Sequence, residues 1–471
     1  MKVSNISQYR QFLEMKKTTI PESGFEVEES EMNPELFPFQ KHCVKRALKC
    51  GKYALFENTG LDKTIQQLEW AQSVHDYCGK PVLIVSPLAV AEQTKREGQK
   101  FGYAVNVVRE QSQVVNGINI TNYEILDHFD ASTFCGVVLD ESSILKNFTS
   151  KTRTEIIELF AETPYKLSCT ATPAPNDYME LGNQAEFCGV MSRTEMLATF
   201  FVHDGGDTSK WRLKGHAQDA FWEWLATWAV VLTNPADLGY PGDGYNLPEL
   251  ETVEHVVKYD INICDDQFSF FAKEAQTLNE RRNARRNSLE DRCKLAADLV
   301  SGRPDEQWLV WCDLNTESEE LTRLIENSVE IRGSDNPSDK ADRLNGFTIG
   351  DVRYLITKPS IAGWGLNWQN CHNMIFVGLS DSYEMMYQAI RRCWRFGQTE
   401  KVTVHIVTSE AEGAVKENIC RKEKQAAFMT YEMVRHTKDI LERDIRGTVK
   451  ITIPYNPQVE MIIPKWLRSE M

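Results

Sequence analysis

Two adjacent carboxylates, Asp140 and Glu141, are the first residues in this chain whose type and position suggest chemistry. The apolar run Val137–Leu139 precedes them directly, which is typical of a buried parallel strand that delivers side chains to its carboxyl edge. At such an edge one carboxylate can hold Mg²⁺ while the other polarises a water. The pair could instead cap a helix, because aspartate is common at strand-to-helix turns. The string TATP at 170–173 favours the catalytic interpretation.

Three arginines lie close together in the string QAIRRCWRFGQ, at positions 391, 392 and 395. Arginines supplied by a second lobe stabilise the charge on a transferring phosphoryl group. A solvated charged face is the alternative, but the neighbouring Cys393, Trp394 and Phe396 do not suit one. The carboxylates and the arginines, in this order, therefore indicate a two-lobed ATPase that nucleic acid stimulates.

A phosphate-binding loop is predicted at Glu57–Gln66, where the string ENTGLDKTIQ lies between a predicted strand and a predicted helix. Backbone N–H groups at a helix N-terminus cradle phosphates, while Lys63 would reach the β and γ oxygens and Thr64 would bind Mg²⁺. The strict glycine pattern fails at Glu57 and Asp62, so the loop alone fits an ordinary strand–turn–helix connection equally well. The downstream carboxylates favour a site for ATP and Mg²⁺.

Predicted strands alternate with predicted helices in two parts of the chain, and the region between them lacks this rhythm. The first part contains the strings YALF, VLIVSP, INITNYEIL and GVVLD, and the second contains QWLVWCD, VRYLITKPS, NMIFVGLSD and KVTVHIVTSE. Such alternation predicts an α/β fold with parallel sheets covered by helices. The predicted divisions are an acidic N-terminal segment (1–35), an ATP-binding lobe (36–187), a mostly helical insertion (188–300), a second lobe (301–425) and a short C-terminal helix and β extension (426–471).

The composition limits the classes of protein that remain open. The 471 residues predict two to four domains, and the 42% hydrophobic content is typical of a globular protein. We expect no membrane partner, because the chain has neither an apolar signal core nor an apolar run of spanning length. Twelve cysteines without a CxxC pair predict reduced thiols and a cytoplasmic location. The net charge of −15 means that a nucleic acid would have to bind along a local basic stripe.

Two features of the predicted insertion have open interpretations. The string RRNARR at Arg281–Arg286 places arginines at i,i+4 spacing, which suits either a phosphate-backbone contact or a solvated or lobe-bridging helix. Phe221, Trp224 and Trp228 form an aromatic stripe at helical spacing. The stripe is predicted to be core rather than a platform on which bases stack.

Taken in order over about residues 36–425, these strings resemble the motifs of a superfamily 2 helicase of the Swi/Snf-like branch, in the compact form common in phages and mobile elements. FPFQ resembles the glutamine motif, TGLDKT the Walker A loop, LIVSPLAV and TNYEIL the strand-tracking motifs, DESS the DEAH-type box, and TATPAPN the motif that couples hydrolysis to nucleic acid. In the second lobe, VEIRGS with Arg343, GWGLNW and QAIRRCWRFGQ resemble the family's later motifs. The resemblance implies two RecA-like lobes and a bacterial or phage-infected host cytoplasm.

The resemblance also implies roles for single residues. Gln40 would contact adenine, Glu141 would activate the attacking water, and Arg392 and Arg395 would be the arginine fingers, which leaves Arg391 unassigned. The other predicted nucleotide-binding residues are Thr59, Gly60, Lys63, Thr64, Gly365 and Asn367, and the predicted Mg²⁺ ligands are Thr64 and Asp140. The predicted nucleic-acid contacts are Thr121, Asn122, Thr170, Arg282 and Arg286.

One residue departs from the family's pattern: Asp62 stands where the family has glycine, directly before the phosphate lysine. Glycine suits that position because the backbone must approach the phosphates closely. A carboxylate there adds a like charge beside the triphosphate and competes for Lys63. At 4 Å this repulsion amounts to about 1–4 kcal/mol in wet surroundings. We therefore expect weakened ATP binding.

The sequence thus predicts an ATP-dependent helicase or translocase that moves on or remodels duplex or branched DNA. A hydrolysis-deficient or ATP-gated DNA-binding module is the alternative that Asp62 raises. A motor subunit of a restriction or defence complex is a further alternative, and the sequence identifies no protein partner.

Overall fold

The computed structural model describes residues 22–88, 90–204, 207–258, 288–363, 366–380 and 382–445, which fold around two separate parallel sheets. We call the part built on the first sheet lobe 1 and the part built on the second sheet lobe 2. Every neighbouring pair of strands within each sheet is parallel. The α/β fold with two parallel-sheet lobes is therefore confirmed. Among the described residues, no helix combines the length and the apolar character that crossing a membrane requires.

Lobe 1 has a seven-stranded sheet. Its strands are β1 (Lys52–Glu57), β2 (Val82–Ser86), β3 (Val105–Val107), β4 (Ile118–Asn122), β5 (Gly136–Asp140), β6 (Tyr165–Cys169) and β9 (Ala229–Leu232), while β7 (Phe201–Asp204) and β8 (Asp207–Leu213) form a separate antiparallel hairpin. The order across the sheet is β3-β4-β2-β5-β6-β1-β9. The central strands consist of nearly continuous buried apolar residues, as expected for a sheet that helices cover on both faces. This arrangement brings the ends of β1, β5 and β6 together at one edge.

In the described part of the chain, seven helices belong to this lobe: α1 (Pro38–Cys50), α2 (Lys63–Cys78), α3 (Ala91–Lys100), α4 (Lys151–Leu159), α5 (Leu181–Phe187), α6 (Arg193–Phe200) and α7 (Gln218–Trp228). Helices α1 and α2 pack on one face, and α4 to α7 contribute to the core on the other face. The aromatic stripe of α7 lies in that second core, where Phe221 and Trp228 are fully buried and Trp224 nearly so. The prediction that the stripe is core is confirmed, although the core belongs to lobe 1.

Lobe 2 has a six-stranded sheet in the order β10-β15-β14-β11-β13-β12. Its strands are β10 (Leu250–Val257), β11 (Trp308–Trp311), β12 (Ser328–Glu330), β13 (Tyr354–Thr357), β14 (Asn373–Val377) and β15 (Val402–Ser409). Its helices are α8 (Leu289–Ser301), α9 (Asn315–Leu324), α10 (Pro337–Ile349), α11 (Pro359–Ala362), α12 (Tyr383–Ile390) and α13 (Gly413–Ile445). Two buried clusters of apolar residues pack on the sheet.

The segment predicted as a mostly helical insertion, 188–300, instead contributes a strand to each sheet. The string AVVL, which directly follows helix α7, forms the edge strand β9 beside β1, with Ala229 opposite Ala54. Adjacent β-branched residues, Val230 and Val231, favour this extended conformation. Strand β10 pairs with β15 along its full length. Lobe 1 therefore continues past the predicted boundary at residue 187, and lobe 2 starts before residue 301.

The C-terminal helix connects the two lobes. Helix α13 follows β15 in lobe 2 and crosses the predicted boundary at residues 425 and 426. Its residues Met429 and Met433 are buried in the core cluster of lobe 1. The predicted β extension after residue 445 lies outside the described residues, as does the RRNARR string. The helix thus packs lobe 2 against lobe 1. We call the space between the phosphate loop and carboxylates of lobe 1 and the arginines of lobe 2 the cleft.

Candidate active site

The predicted phosphate loop joins the end of β1 to the start of α2. The connection itself consists of residues 58–62, and it starts against the edge strand, because the Asn58 amide donates to the Leu232 carbonyl at 2.8 Å. Asp62 ends this connection, directly before Lys63, in a left-handed conformation with φ 53° and ψ 58°. The Asp62 side chain makes no capping hydrogen bond to the helix. Glycine adopts this conformation without steric cost, so the backbone gives a second reason for the family's glycine.

Lys63 lies over this loop. Its Nζ donates to the carbonyl of Glu57 at 2.8 Å and to that of Asn58 at 3.4 Å. The ammonium group is therefore held at the N-terminus of α2, where an anion is favoured by the free N–H groups and the helix dipole.

A buried carboxyl beneath the loop was not singled out from the sequence. Glu57 is fully buried and accepts a hydrogen bond from the Gln66 Nε2 at 2.6 Å. Burial is the main cause that raises the Glu57 pKa to about 7, and the nearby charge of Lys63 opposes it. The failed glycine pattern at this position was the available signal, because a charged residue at the end of a buried strand needs a partner.

The amide of Gln40 holds the loop from the side of α1. Its Nε2 donates to the Leu61 carbonyl at 3.0 Å, and its Oε1 accepts from the Phe37 amide at 2.9 Å. The side chain is 1% exposed. Both polar ends of Gln40 are thus engaged within the protein, and its contact with adenine stays a prediction.

The two carboxylates lie at the carboxyl edge of the sheet, after β5. Asp140 accepts a hydrogen bond from the Gln67 Nε2 at 2.7 Å. Glu141 has a left-handed backbone, with φ 53° and ψ 51°, and its side chain makes no capping bond to the 3-10 turn Ser142–Lys146. The alternative role of the pair as a side-chain helix cap is therefore not what this structure shows.

Burial in the cleft controls the protonation of these carboxyls. It raises the pKa of Asp140, against the opposing hydrogen bond from Gln67 and the charge of Lys63. It also raises the pKa of Glu141 to about 7, and the neighbouring Asp140 charge acts in the same direction. The raised pKa of Glu141 suits a proton acceptor, and Asp140 beside it offers a carboxylate oxygen to a metal ion.

The two predicted arginine fingers differ in how far they are engaged within lobe 2. Arg392 donates to the Gln388 carbonyl at 2.9 Å, to the Gln388 Oε1 at 3.0 Å and to the Leu366 carbonyl at 3.1 Å. Burial lowers its pKa to about 10. Arg395 bonds to the side chain of Asn367, but its buried Nε has no hydrogen-bond partner among the described residues. Arg395 is therefore the finger that has a buried nitrogen without a partner among the described residues, which an anion could satisfy.

Asp62 and Arg395 act on each other across the cleft. Desolvation by the surrounding groups raises the pKa of the Asp62 carboxyl although the residue is exposed, and the charge of Arg395 is the largest influence in the opposite direction. Burial likewise lowers the pKa of Arg395, and the charge of Asp62 opposes that shift most strongly. The carboxylate thus faces the finger as well as Lys63.

The arginine left unassigned from the sequence is the one that contacts the loop. Arg391 donates from Nε to the Thr59 Oγ1 and from Nη2 to the Thr59 carbonyl. One helical turn earlier, the Tyr387 hydroxyl donates to the Asn58 Oδ1. The i,i+4 spacing of Tyr387 and Arg391 was the signal that places both side chains on one face.

Two predicted nucleic-acid contacts are buried, which is a correction. Thr121 is 1% exposed and Thr170 is fully buried, so neither can touch a nucleic acid in this structure. Thr170 instead donates to the Glu141 Oε2 at 3.5 Å and accepts from the Thr172 amide at 3.1 Å. Asn122 caps a 3-10 turn by accepting from the Glu124 amide at 3.1 Å.

The remaining predicted site residues are divided between the cleft and the undescribed parts. Thr64 is the second residue of α2, directly after Lys63, and it is half-buried. Gly60 has φ 94°, and a Cβ there would lie 3.2 Å from the Phe396 backbone nitrogen of lobe 2. Gly365, Arg282 and Arg286 lie outside the described residues.

These residues fit a nucleoside triphosphate and Mg²⁺. Thr64 and Asp140 offer the hydroxyl and carboxylate oxygens that Mg²⁺ prefers. The buried, unpartnered Nε of Arg395 is costly as it stands, so an anion entering the cleft would stabilise it. The carboxylate of Asp62, directly before Lys63, opposes an anion at the loop.

Comparisons with known proteins agree with this arrangement. Residues 39–194 match the family model for the SNF2-related domain, and residues 291–397 match that for the helicase conserved C-terminal domain. Together they support a Swi/Snf-like helicase of superfamily 2. The first match covers β1 to β6, and the second ends at Gly397, just after Arg395. The two matches thus include both sides of the cleft.

Similar proteins include two frog relatives, each named SWI/SNF-related matrix-associated actin-dependent regulator of chromatin subfamily A-like protein 1. The Xenopus tropicalis protein is 29% identical over 178 residues, which make up 35% of this chain and 18% of that protein. The Xenopus laevis protein is 30% identical over 169 residues, which make up 33% of this chain and 17% of that protein. The matches thus span less than a fifth of the relatives' length.

A solved structure also aligns with this chain. It is the Sulfolobus solfataricus SWI2/SNF2 ATPase core in complex with dsDNA, at 16% identity and a TM-score of 0.42. The alignment covers 91% of this chain and 100% of that chain.

Proposed function

We propose that this chain is a DNA-stimulated ATPase that translocates on or remodels DNA. The observation that carries the proposal is the cleft in which the loop and carboxylates of lobe 1 face the arginines of lobe 2. This is the arrangement that phosphoryl transfer requires, because positioning and electrostatic stabilisation supply most of the catalysis. The matched domains support ATP hydrolysis, and the chromatin-related names of the relatives favour DNA over RNA.

Each group of the cleft has a separate task in this proposal. Lys63 and the N-terminus of α2 bind the triphosphate, and Thr64 and Asp140 hold Mg²⁺. When bound, the metal ion neutralises charge on the phosphate oxygens. Glu141 accepts a proton from the attacking water, with Thr170 supporting its carboxylate. Arg395 stabilises the charge that develops on the transferring group.

Movement on DNA requires that ATP hydrolysis change the relative position of the two lobes, so the catalytic residues must be connected to lobe 2. The buried Glu384 of lobe 2 supplies one, because it pairs with Lys146, five residues after Glu141. It also accepts from the Thr172 hydroxyl at 3.2 Å, within the string TATP. A change at the carboxylates would thus be transmitted to α12 of lobe 2. Opening and closing of the cleft would then advance the lobes along duplex or branched DNA.

A hydrolysis-deficient DNA-binding module is the second candidate, and Asp62 is the observation that favours it. Its carboxylate stands beside Lys63 and faces Arg395, the two cations that a triphosphate needs. A role in a restriction or defence complex, a phage or mobile-element origin and a bacterial or phage-infected host location stay predictions. Contact of Arg282 and Arg286 with DNA also stays a prediction.

Phosphate release with and without duplex DNA separates the two candidates. A translocating ATPase is expected to release phosphate from Mg·ATP and to do so several-fold faster when DNA is added. Lys63→Ala provides the control, because it removes the phosphate lysine and should abolish that release. DNA binding without nucleotide turnover, in the wild type at saturating ATP, would favour the second candidate.

Replacing Asp62 by glycine is expected to tighten ATP binding and to raise DNA-stimulated turnover at least several-fold. The change removes a like charge worth about 1–4 kcal/mol near the triphosphate and relieves a left-handed backbone. Asp62→Asn separates the two causes, because asparagine removes the charge and tolerates the left-handed conformation. ATP affinity and turnover at saturating ATP are measured for each variant.

The matched control for Asp62→Gly is Asn327→Gly, at an exposed left-handed residue of lobe 2 with φ 60°. This control relieves a comparable backbone conformation far from the loop, and we expect it to leave ATP affinity unchanged. If the wild type already turns over ATP briskly and Asp62→Gly adds nothing, Asp62 must point away from the bound phosphates.

A further inference from the structure

The end of α12 in lobe 2 makes direct hydrogen bonds to the phosphate loop of lobe 1. The Tyr387 hydroxyl donates to the Asn58 Oδ1. The Arg391 guanidinium donates to both the hydroxyl and the carbonyl of Thr59. Two residues of lobe 2, one helical turn apart, thus hydrogen-bond to the adjacent loop residues Asn58 and Thr59. We call these four residues the loop clasp.

The guanidinium of Arg391 is buried in this clasp. Arg391 is 3% exposed, and its Cζ lies 5.0 Å from the ring centroid of Trp394 and 5.9 Å from that of Tyr387. A buried charge needs polar partners. In the described part of the chain, the hydrogen bonds of the Arg391 side chain all go to Thr59. The Arg391 side chain is therefore held in place by Thr59, and Thr59 is in turn held by Arg391.

Few bonds from lobe 1 itself hold the same loop residues. The Asn58 amide donates to the Leu232 carbonyl, the Asn58 carbonyl accepts from the Lys63 Nζ at 3.4 Å, and the Asn58 Oδ1 accepts from the Thr59 amide at 2.9 Å. The bonds given for the Thr59 side chain and carbonyl come from Arg391 of lobe 2. Directly after them, Gly60 lies against Phe396, with no room for a Cβ without a shift. Lobe 1 thus holds Asn58, while the conformation of Thr59 and Gly60 depends on lobe 2.

We propose that Arg391, together with Tyr387, is a positioning residue of the ATP site that holds the phosphate loop in its binding conformation when the lobes are docked. The assignment rests on the proposed ATPase function. It gives Arg391 a role distinct from that of Arg395, which faces the transferring group. Docking of lobe 2 then raises ATP affinity, so that a partner on lobe 2 such as DNA acts on nucleotide binding through the loop.

The first test compares the kinetics of Arg391→Ala and Arg395→Ala. Loss of two charge-assisted hydrogen bonds to the loop is expected to raise the KM for ATP about tenfold in Arg391→Ala, with kcat changed by about twofold or less. Arg395→Ala is expected to show the opposite pattern, with a large loss of kcat and little change in the KM for ATP. Arg391→Lys should recover only part of the affinity, because an ammonium cannot make the forked contact. Arg323→Ala, at an exposed arginine of α9, is the matched control.

The second test follows the loop without any turnover. Hydrogen–deuterium exchange of the peptide that contains residues 57–62 is expected to be faster in Arg391→Ala than in the wild type, in the absence of nucleotide. Thr59→Val removes the hydroxyl acceptor while leaving lobe 2 intact, and it should speed the same exchange even if Arg391→Ala fails to fold. In the double variant Arg391→Ala with Thr59→Val, the two increases in exchange rate should not add, because both substitutions disrupt the same contact between Arg391 and Thr59.

The outcomes distinguish this inference from the proposed function. Faster exchange in a chain without ATPase activity supports the loop clasp and overturns the ATPase proposal. Normal ATPase activity with unchanged exchange and unchanged KM in Arg391→Ala and Thr59→Val overturns the loop clasp and leaves the ATPase proposal intact. Equal losses of kcat and affinity in Arg391→Ala would assign Arg391 to the chemistry instead of to positioning.

Discussion

Glu141→Gln is expected to lower DNA-stimulated ATP turnover by about 10²-fold or more while nucleotide binding stays near its wild-type value. The glutamine keeps the size of the side chain, and its amide can still accept the weak hydrogen bond from Thr170. What is lost is the carboxylate that can take a proton from the attacking water. The measurement is single-turnover phosphate release beside equilibrium binding of a fluorescent ADP analogue.

Two controls make this result specific. Glu155→Gln changes an exposed glutamate of α4 in the same lobe and should leave turnover unchanged. Asp140→Asn removes the predicted Mg²⁺ ligand and should weaken the binding of Mg·ATP as well as turnover. Near-normal turnover in Glu141→Gln would remove Glu141 from the mechanism and leave the role of proton acceptor without a residue.

The position of the carboxylates was predictable from the sequence because local physics determines it. A strand buried on both faces must be apolar along its length, so the first charged residues after Val137–Leu139 mark its end. The parallel arrangement then places that end beside the ends of β1 and β6. The alternation of strands and helices therefore predicted both the fold class and the edge at which the site lies.

The division of the chain between the lobes was not predictable in the same way. Strand β9 is four residues long and directly follows a helix, so its apolar run continues the helical pattern. It becomes a strand because the edge of β1 offers unpaired backbone groups, which is a tertiary effect. The same reasoning applies to β10, whose pairing with β15 joins segments that are far apart in sequence.

The contacts across the cleft could not be predicted from the sequence either. Arg391 and Thr59 are 332 residues apart, and only the docking of the lobes brings them together. The left-handed backbone of Asp62 and Glu141 is likewise invisible in a sequence that has no glycine at either position. Thr121 and Thr170 were assigned to nucleic acid from motif resemblance, whereas their positions at strand ends bury them.

Arg395→Ala is expected to lower kcat by about 10³-fold or more with little change in ATP affinity, because an arginine finger meets charge that develops only in the transition state. The structure gives the reason for choosing Arg395 over Arg392. All three side-chain nitrogens of Arg392 donate to Gln388 or Leu366, so Arg392→Ala should also lower thermal stability, while the buried Nε of Arg395 lacks a partner among the described residues.

The readouts for Arg395→Ala are kcat, the Kd of a fluorescent ADP analogue and the midpoint of thermal unfolding. Arg395→Lys should recover little of the loss, since a point charge does not reproduce the planar donors of a guanidinium. Asp62 adds an internal check, because its carboxylate faces the same guanidinium. In the Arg395→Ala background, Asp62→Gly should still tighten ATP binding through Lys63, but it should no longer raise kcat. Parallel losses of binding, turnover and stability in Arg395→Ala would instead show that this arginine supports the fold of lobe 2.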